Sequence, residues 1–160
     1  MTTLRAGDDA PDFRAQSHTG EVVHLSDYRG RTVVLFFYPR DESPICTRQV
    51  CAFRDAFADF VRAGAVVIGV SNDSVDSHQR FAQQHRLPFI LIADHNGEIR
   101  SDFGIRRTFG LLPGRTTFVI DREGTIRHVF SAQFAASRHV EEAIGMVHRL
   151  AAESAPSEDE

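Results

Sequence analysis

Thr32-Val33-Val34-Leu35-Phe36-Phe37-Tyr38 runs without a break into Pro39-Arg40-Asp41-Glu42-Ser43-Pro44-Ile45-Cys46-Thr47-Arg48-Gln49-Val50-Cys51. The first seven residues form a continuous apolar run of strand length, the pattern of a strand covered on both faces. The stretch after Tyr38 turns polar and then opens a helix. Ser43 offers a hydroxyl N-cap, and Pro44 has the φ that a first helical position requires. A buried strand feeding a capped helix is the start of an α/β unit.

Working outward, the rest of the chain repeats this alternation. Residues 11–25 read as a short hairpin, with Phe13 to Ser17 and Val22 to Leu25 around a His-Thr-Gly turn. The helical pattern begun at Pro44 continues to about Arg62. Ala65 to Ser71 is a second buried strand, Val75 to Arg86 a helix closed by Leu87-Pro88, and Phe89 to Asp94 a third strand. Gly97 to Phe103 suits a short helix. Thr116 to Asp121 and Thr125 to Ser131 flank Arg122-Glu123-Gly124, a hairpin signal. Ser137 to Ala152 places Val140, Ala143, Ile144, Val147, Leu150 and Ala151 on one stripe of a final helix. The pattern predicts an α/β fold, a mixed central sheet flanked by helices, in one domain over 1–152. The acidic segment 153–160 reads as a frayed tail.

Composition narrows the chemistry. The chain has 160 residues and a formal net charge of −4, with 18 basic residues, all of them arginine, and two cysteines. Without lysine there is no P-loop lysine, Schiff-base lysine or lysine general base. The mild acidity gives no footprint for nucleic acid. Met1 to Asp9 holds no apolar run like the centre of a signal peptide, and Val33 to Tyr38 is too short to span a membrane. A cytoplasmic protein is the expectation, and in a reducing compartment two cysteines are chemical more often than structural. Asn72-Asp73-Ser74 matches a glycosylation sequon, which without secretion is a chance match.

Cys46 falls at the third position of the helix that Ser43 and Pro44 begin. Free backbone N–H groups and the positive end of the helix dipole stabilise a thiolate there, the reactive form of cysteine. With Cys46 as zero, Val50, Phe53, Phe57, Phe60 and Val61 all lie within roughly 60° on the helix, so Cys46 is centred on the stripe facing the sheet. Cys51 lies about 140° around. In an intact helix the two Cα atoms would be roughly 8.6 Å apart, beyond the ~7 Å reach of a disulfide. The spacing therefore predicts either two unrelated thiols or a redox pair coupled to local unwinding. Cys51 taken alone fits a small buried hydrophobe equally well. A zinc site lacks a paired Cys or His motif nearby.

These residues resemble a known family. Phe37-Tyr38-Pro39-Arg40-Asp41, Ser43-Pro44-Ile45-Cys46-Thr47 and Cys51-Ala52-Phe53-Arg54-Asp55 are similar to the active-site segment of the peroxiredoxins, more narrowly the bacterioferritin comigratory protein or peroxiredoxin Q subfamily. Gly7 to Phe13, Leu25 to Gly30, Gly69-Val70-Ser71, Asp94 through Ile105 and Arg115 to Asp121 follow in family order, so the resemblance covers about residues 6–150. It implies a thioredoxin-like fold with an N-terminal β-hairpin extension. It also implies reduction of hydrogen peroxide and organic hydroperoxides with no metal or organic cofactor. By motif position, Cys46 would be the peroxidatic cysteine and Cys51 the resolving one, joined in an intramolecular disulfide after local unfolding, as in atypical 2-Cys enzymes. Ser43 would hydrogen-bond the peroxide, Pro39 would shield the thiolate, and Arg115 would hold thiolate and O–O bond. The implied partners are a peroxide and a thioredoxin or glutaredoxin-like dithiol, acting on a monomer or weak homodimer.

The chain departs from the family pattern at Ile45, where Gly is common, and at Gln49, where Glu is common. A thiol-disulfide oxidoreductase or redox sensor on the same fold is the alternative, although such enzymes usually carry C-x-x-C. A binding module with incidental thiols is the third reading; Pro39, Ser43 and Arg115 beside Cys46 argue against it. The histidines are scattered: His78 and His85 lie on one expected helix face, His139 opens the last helix, and His18 and His24 could face each other across the hairpin. Phe109 to Leu112 suits a substrate mouth or a subunit contact.

Overall fold

In the computed structural model the described residues are 4–105, 107–108, 112–113, 115–132 and 135–154. The central sheet has five strands in the order β5-β4-β3-β8-β9. These are β3 (Thr32–Phe37), β4 (Ala65–Ser71), β5 (Ile90–Ala93), β8 (Thr116–Ile120) and β9 (Ile126–Ser131). β3 pairs in parallel with β4, and β4 with β5, whereas β8 runs antiparallel to both β3 and β9. The sheet is thus mixed, as the early β-α alternation and the late hairpin require. The N-terminal hairpin is β1 (Arg14–Gln16) with β2 (Val22–His24), and a small ribbon pairs β6 (Arg107–Thr108) with β7 (Leu112–Pro113).

Both faces of β3 are buried, and its side chains alternate between two cores. Val34, Phe36 and Tyr38 join one cluster with Cys46, Val50, Phe53, Phe60, Phe81, Val147 and Leu150, so the helices α1 (Pro44–Asp55), α2 (Phe57–Arg62), α3 (Val75–His85) and α5 (Ala136–Ser154) cover that face. Val33, Leu35 and Phe37 join the other with Phe13, Val23, Leu25, Ile99 and Phe103, so the hairpin and α4 (Glu98–Asp102) cover the opposite one. The two faces explain why the run from Thr32 to Tyr38 carries no polar alternation. Gly69 of β4 is needed at a close approach, since a Cβ there would lie 2.8 Å from both Leu91 Cδ2 and Phe36 Cζ.

The helix expected over 44–62 is two helices. Ala56, with φ −93° and ψ 1°, leaves helical geometry between α1 and α2. A stripe extrapolated through that break loses phase. Cys46, Val50, Phe53 and Phe60 are fully buried, whereas Val61 is 51% exposed. The helix α3 ends one residue before the expected Arg86, which takes the left-handed conformation at φ 53°. α5 runs through Ser154, and Glu153 in its last turn accepts two hydrogen bonds from Arg127, at 3.0 and 3.1 Å. His18 does not meet His24: Arg14 is the partner of His24 across the hairpin, and His18 Nδ1 accepts from the Leu91 amide at 3.1 Å. The segment 109–112 lies, but for the backbone of Leu112, outside the described residues.

Candidate active site

The site begins at the N-terminus of α1. Ser43, extended at φ −67° and ψ 145°, caps the helix, its Oγ accepting from the Cys46 amide at 3.3 Å. Pro44 takes the first helical position, where no N–H is missed. Cys46 is therefore held on the first turn with its side chain directed into the core, fully buried. Pro39 lies half-buried in the loop joining β3 to α1.

Arg115 reaches this thiol from the start of β8. It is 7% exposed, and its Nη1 donates to Cys46 Sγ at 2.9 Å and to Gln49 Oε1 at 3.2 Å. The two protons on Nη1 let one nitrogen serve both acceptors. Gln49, one turn beyond Cys46 on α1, is itself fully buried. Arg115 Nε and Gln49 Nε2 are buried donors without an acceptor among the described residues. A buried cation costs free energy unless it is compensated, and here the Cys46 sulfur and the Gln49 amide oxygen are the acceptors it meets. A buried sulfur beside a fixed guanidinium and spare donors suits attack by sulfur on a polar bond whose leaving atom gains charge.

Structure behind these groups fixes them. The Arg115 carbonyl accepts from Ala132 N–H at 3.3 Å, and the Ala132 carbonyl faces His139 Nε2 at 2.8 Å. His139 Nδ1 faces Thr117 Oγ1 at 2.8 Å, so the ring braces β8 beside Arg115. Burial holds this imidazole below its ordinary value; the Ala132 carbonyl opposes that shift and the Arg115 charge adds to it. The loop before α1 is braced by Asp41, which is 5% exposed. Its carboxylate accepts from Tyr38 Oη at 2.6 Å and Ser77 Oγ at 2.9 Å, and pairs with His78 Nδ1 at 2.6 Å. His78 Nε2 faces the Ile92 carbonyl at 3.0 Å. Burial pushes the Tyr38 hydroxyl well above its ordinary value, with the Asp41 charge adding to it.

Asp41, Asp73 and His78 bring ligand atoms within 4.8 Å of one another, the spacing a cation would need. Asp73, however, accepts from the Asp41 amide at 2.7 Å and from Ser71 Oγ at 2.7 Å, and Asp41 is taken by His78, Tyr38 and Ser77. Their hydrogen bonds close on each other, which makes the cluster a brace for the loop.

Of the residues singled out from sequence, Ser43, Cys46 and Arg115 come together at one point. Cys51 does not join them: both thiols are free, in the same unbroken helix, with Cys46 buried and Cys51 half-buried. Cys51 Sγ instead lies 3.7 Å from His85 Nδ1. Sequence reasoning missed Gln49 as the partner of Arg115 and Asp41 as the anchor of the loop. Gln49 follows Cys46 by three positions on a helix, the spacing that shares a face, and this was the available signal.

The AhpC/TSA family model matches residues 6–129. The chloroplastic peroxiredoxin Q of Triticum aestivum is 41% identical over 145 residues, 90% of this chain and 67% of that protein. The chloroplastic peroxiredoxin Q of Arabidopsis thaliana is 44% identical over 142 residues, 88% of this chain and 66% of that protein. Among solved structures, the peroxidoxin BcpB of Mycobacterium tuberculosis superposes with a TM-score of 0.85 at 34% identity, covering 92% of this chain and 98% of its own. The bacterioferritin comigratory protein of Xanthomonas campestris, described for its alkyl peroxide reduction activity, superposes with a TM-score of 0.80 at 27% identity over 87% of this chain and 92% of its own.

Proposed function

The chain belongs to the AhpC/TSA family, and from that premise we propose that it is a peroxiredoxin of the Q type. In this reading it reduces hydrogen peroxide and alkyl hydroperoxides through Cys46, with Cys51 resolving the product. The observation that carries the reading is the 2.9 Å contact from Arg115 Nη1 to the buried Cys46 sulfur. Peroxide enters beside that sulfur, and Arg115, already bonded to it, extends a second donor to the substrate. Arginine suits the task because its fork of donors is rigid and always charged. Ser43 accepts from the Cys46 amide and keeps its hydroxyl proton for a peroxide oxygen. Pro39 closes the loop side without adding an N–H that would draw in water.

The sulfur attacks one oxygen, the O–O bond breaks, and the departing oxygen takes a proton as water or alcohol. Cys46 is left as a sulfenic acid, the first reversible rung of thiol oxidation. Cys51 then attacks the Cys46 sulfur, water departs, and an intramolecular disulfide remains. Because both cysteines sit in the intact helix α1, this step requires the first turns of α1 to unwind. A thioredoxin-type dithiol resets the pair by exchange. In this reading the protein acts as a monomer or weak homodimer in a compartment that supplies such a dithiol, here taken to be the cytoplasm.

The reading is tested by a thioredoxin-coupled assay. Reductant consumption should depend on added peroxide and vanish in Cys46→Ser. Strong reduction of insulin disulfides without peroxide turnover would assign the protein to disulfide exchange instead.

A further inference from the structure

We propose that His85 is the proton acceptor for Cys51, the group that turns this thiol into the nucleophile closing the Cys46–Cys51 disulfide; the inference rests on the reading of the two cysteines just given. Cys51 Sγ and His85 Nδ1 lie 3.7 Å apart, within reach of a thiol hydrogen bond, although they come from different helices and are 34 positions apart. The imidazole is fixed by its surroundings. The Phe81 ring meets it edge-on, with centroids 4.8 Å apart, and Arg54 Nη1 donates to the His85 carbonyl at 2.9 Å. The same Arg54 contact ties α1, which carries Cys51, to the end of α3.

The chemistry of the pair follows from this geometry. A neutral imidazole protonated on Nε2 presents the Nδ1 lone pair to the thiol, so S–H donates to nitrogen. His85 is the last residue of α3, where the helix dipole favours a positive charge. Taking up the proton there yields an imidazolium in a stabilising place. Burial meanwhile holds the Cys51 thiol above its ordinary value, Arg54 drawing it back and Asp55 adding to it, so the thiol benefits from a base of its own. The charged groups that α1 turns toward the pair, Arg54 and Asp55, lie 3.1 Å from each other and largely offset one another.

The Cys51 proton passes to His85 Nδ1, and the first turns of α1 unwind. The Cys51 thiolate attacks the sulfur of the Cys46 sulfenic acid; the S–S bond forms and the S–O bond breaks. Cys51 sulfur is oxidised as Cys46 sulfur is reduced. The departing hydroxide recovers a proton, ultimately the one held by His85, and leaves as water.

The test uses the full chain carrying Cys46→Ser, in which Cys51 alone can react. Its alkylation by iodoacetamide is followed across pH, with His85→Gln and His85→Phe added separately. In both variants the rate near neutral pH should fall about tenfold and the profile should move to higher pH, since one unit of thiol acidity is tenfold in thiolate. Glutamine can still bond the thiol but cannot take its proton. A glutamine variant that reacts as fast as its parent therefore overturns the proposal, and if the phenylalanine variant fails to fold, the glutamine result alone decides. No peroxide enters this experiment, so it succeeds or fails apart from the peroxidase reading. The resolving role of Cys51 instead falls if Cys51→Ser still turns over normally with thioredoxin, Cys46 then being reduced directly.

Discussion

At the scale of single residues, the site is an arginine meeting a cysteine in a dry place. Arg115 and Cys46 are 69 positions apart, and only the pairing of β8 with β3 brings them to 2.9 Å. A lysine at 115 would keep the charge but lose the fork that serves sulfur, Gln49 and substrate together. Arg115→Lys should lower kcat/KM for peroxide by about a hundredfold, the scale of losing a fixed donor at developing charge. Steady-state kinetics with the coupled assay would measure it, and an unchanged kcat/KM would remove Arg115 from the chemistry. Cys46 and its cap were legible in the sequence because Ser43-Pro44 is a local signal. The partners of Arg115, Asp41 and Cys51 were not, since Gln49 looked like a simple departure and His78 and His85 are reached only through tertiary packing.

At the scale of elements, the continuous apolar run over β3 correctly predicts a strand covered on both faces, because each side chain has a core to enter whichever way it points. The boundary between α1 and α2 is different. No glycine or proline marks Ala56, and Phe57 and Phe60 continue the apolar spacing across it, so nothing local announces the break. Val61 is exposed as a result. Close packing also sets limits inside the sheet. Gly69→Ala puts a methyl 2.8 Å from Leu91 Cδ2 and Phe36 Cζ, so these two packed side chains must shift to admit it. The variant should lose about 1–3 kcal/mol of stability, the usual cost of overpacking. Urea unfolding would detect this as a lower midpoint, and an unchanged midpoint would mean that the sheet accommodates the methyl freely.

At the scale of the whole molecule, one buried and one half-buried histidine couple stability to pH. Burial lowers His139 below its ordinary 6.5, the nearby Arg115 charge adding to this against the Ala132 hydrogen bond. Burial lowers His18 from the same value, with His78 adding to it. The folded protein therefore prefers both rings neutral, while the unfolded chain takes up protons near 6.5. Below that point the unfolded state binds more protons, so stability is full above 6.5 and is lost as pH falls toward the folded values. The urea midpoint should drop between pH 7 and about pH 5.5, and His139→Gln should make the slope shallower. An identical slope in the variant would show that His139 takes up its proton as easily folded as unfolded.

The central claim is that Cys46, held by Arg115, attacks peroxide and becomes a sulfenic acid. It is tested most directly in the Cys51→Ser protein, where no partner can consume that acid. After one equivalent of hydrogen peroxide in the presence of dimedone, mass spectrometry should find a single adduct on the peptide carrying Cys46, formed in proportion to peroxide. An unmodified Cys46 after the peroxide has been consumed would contradict the account.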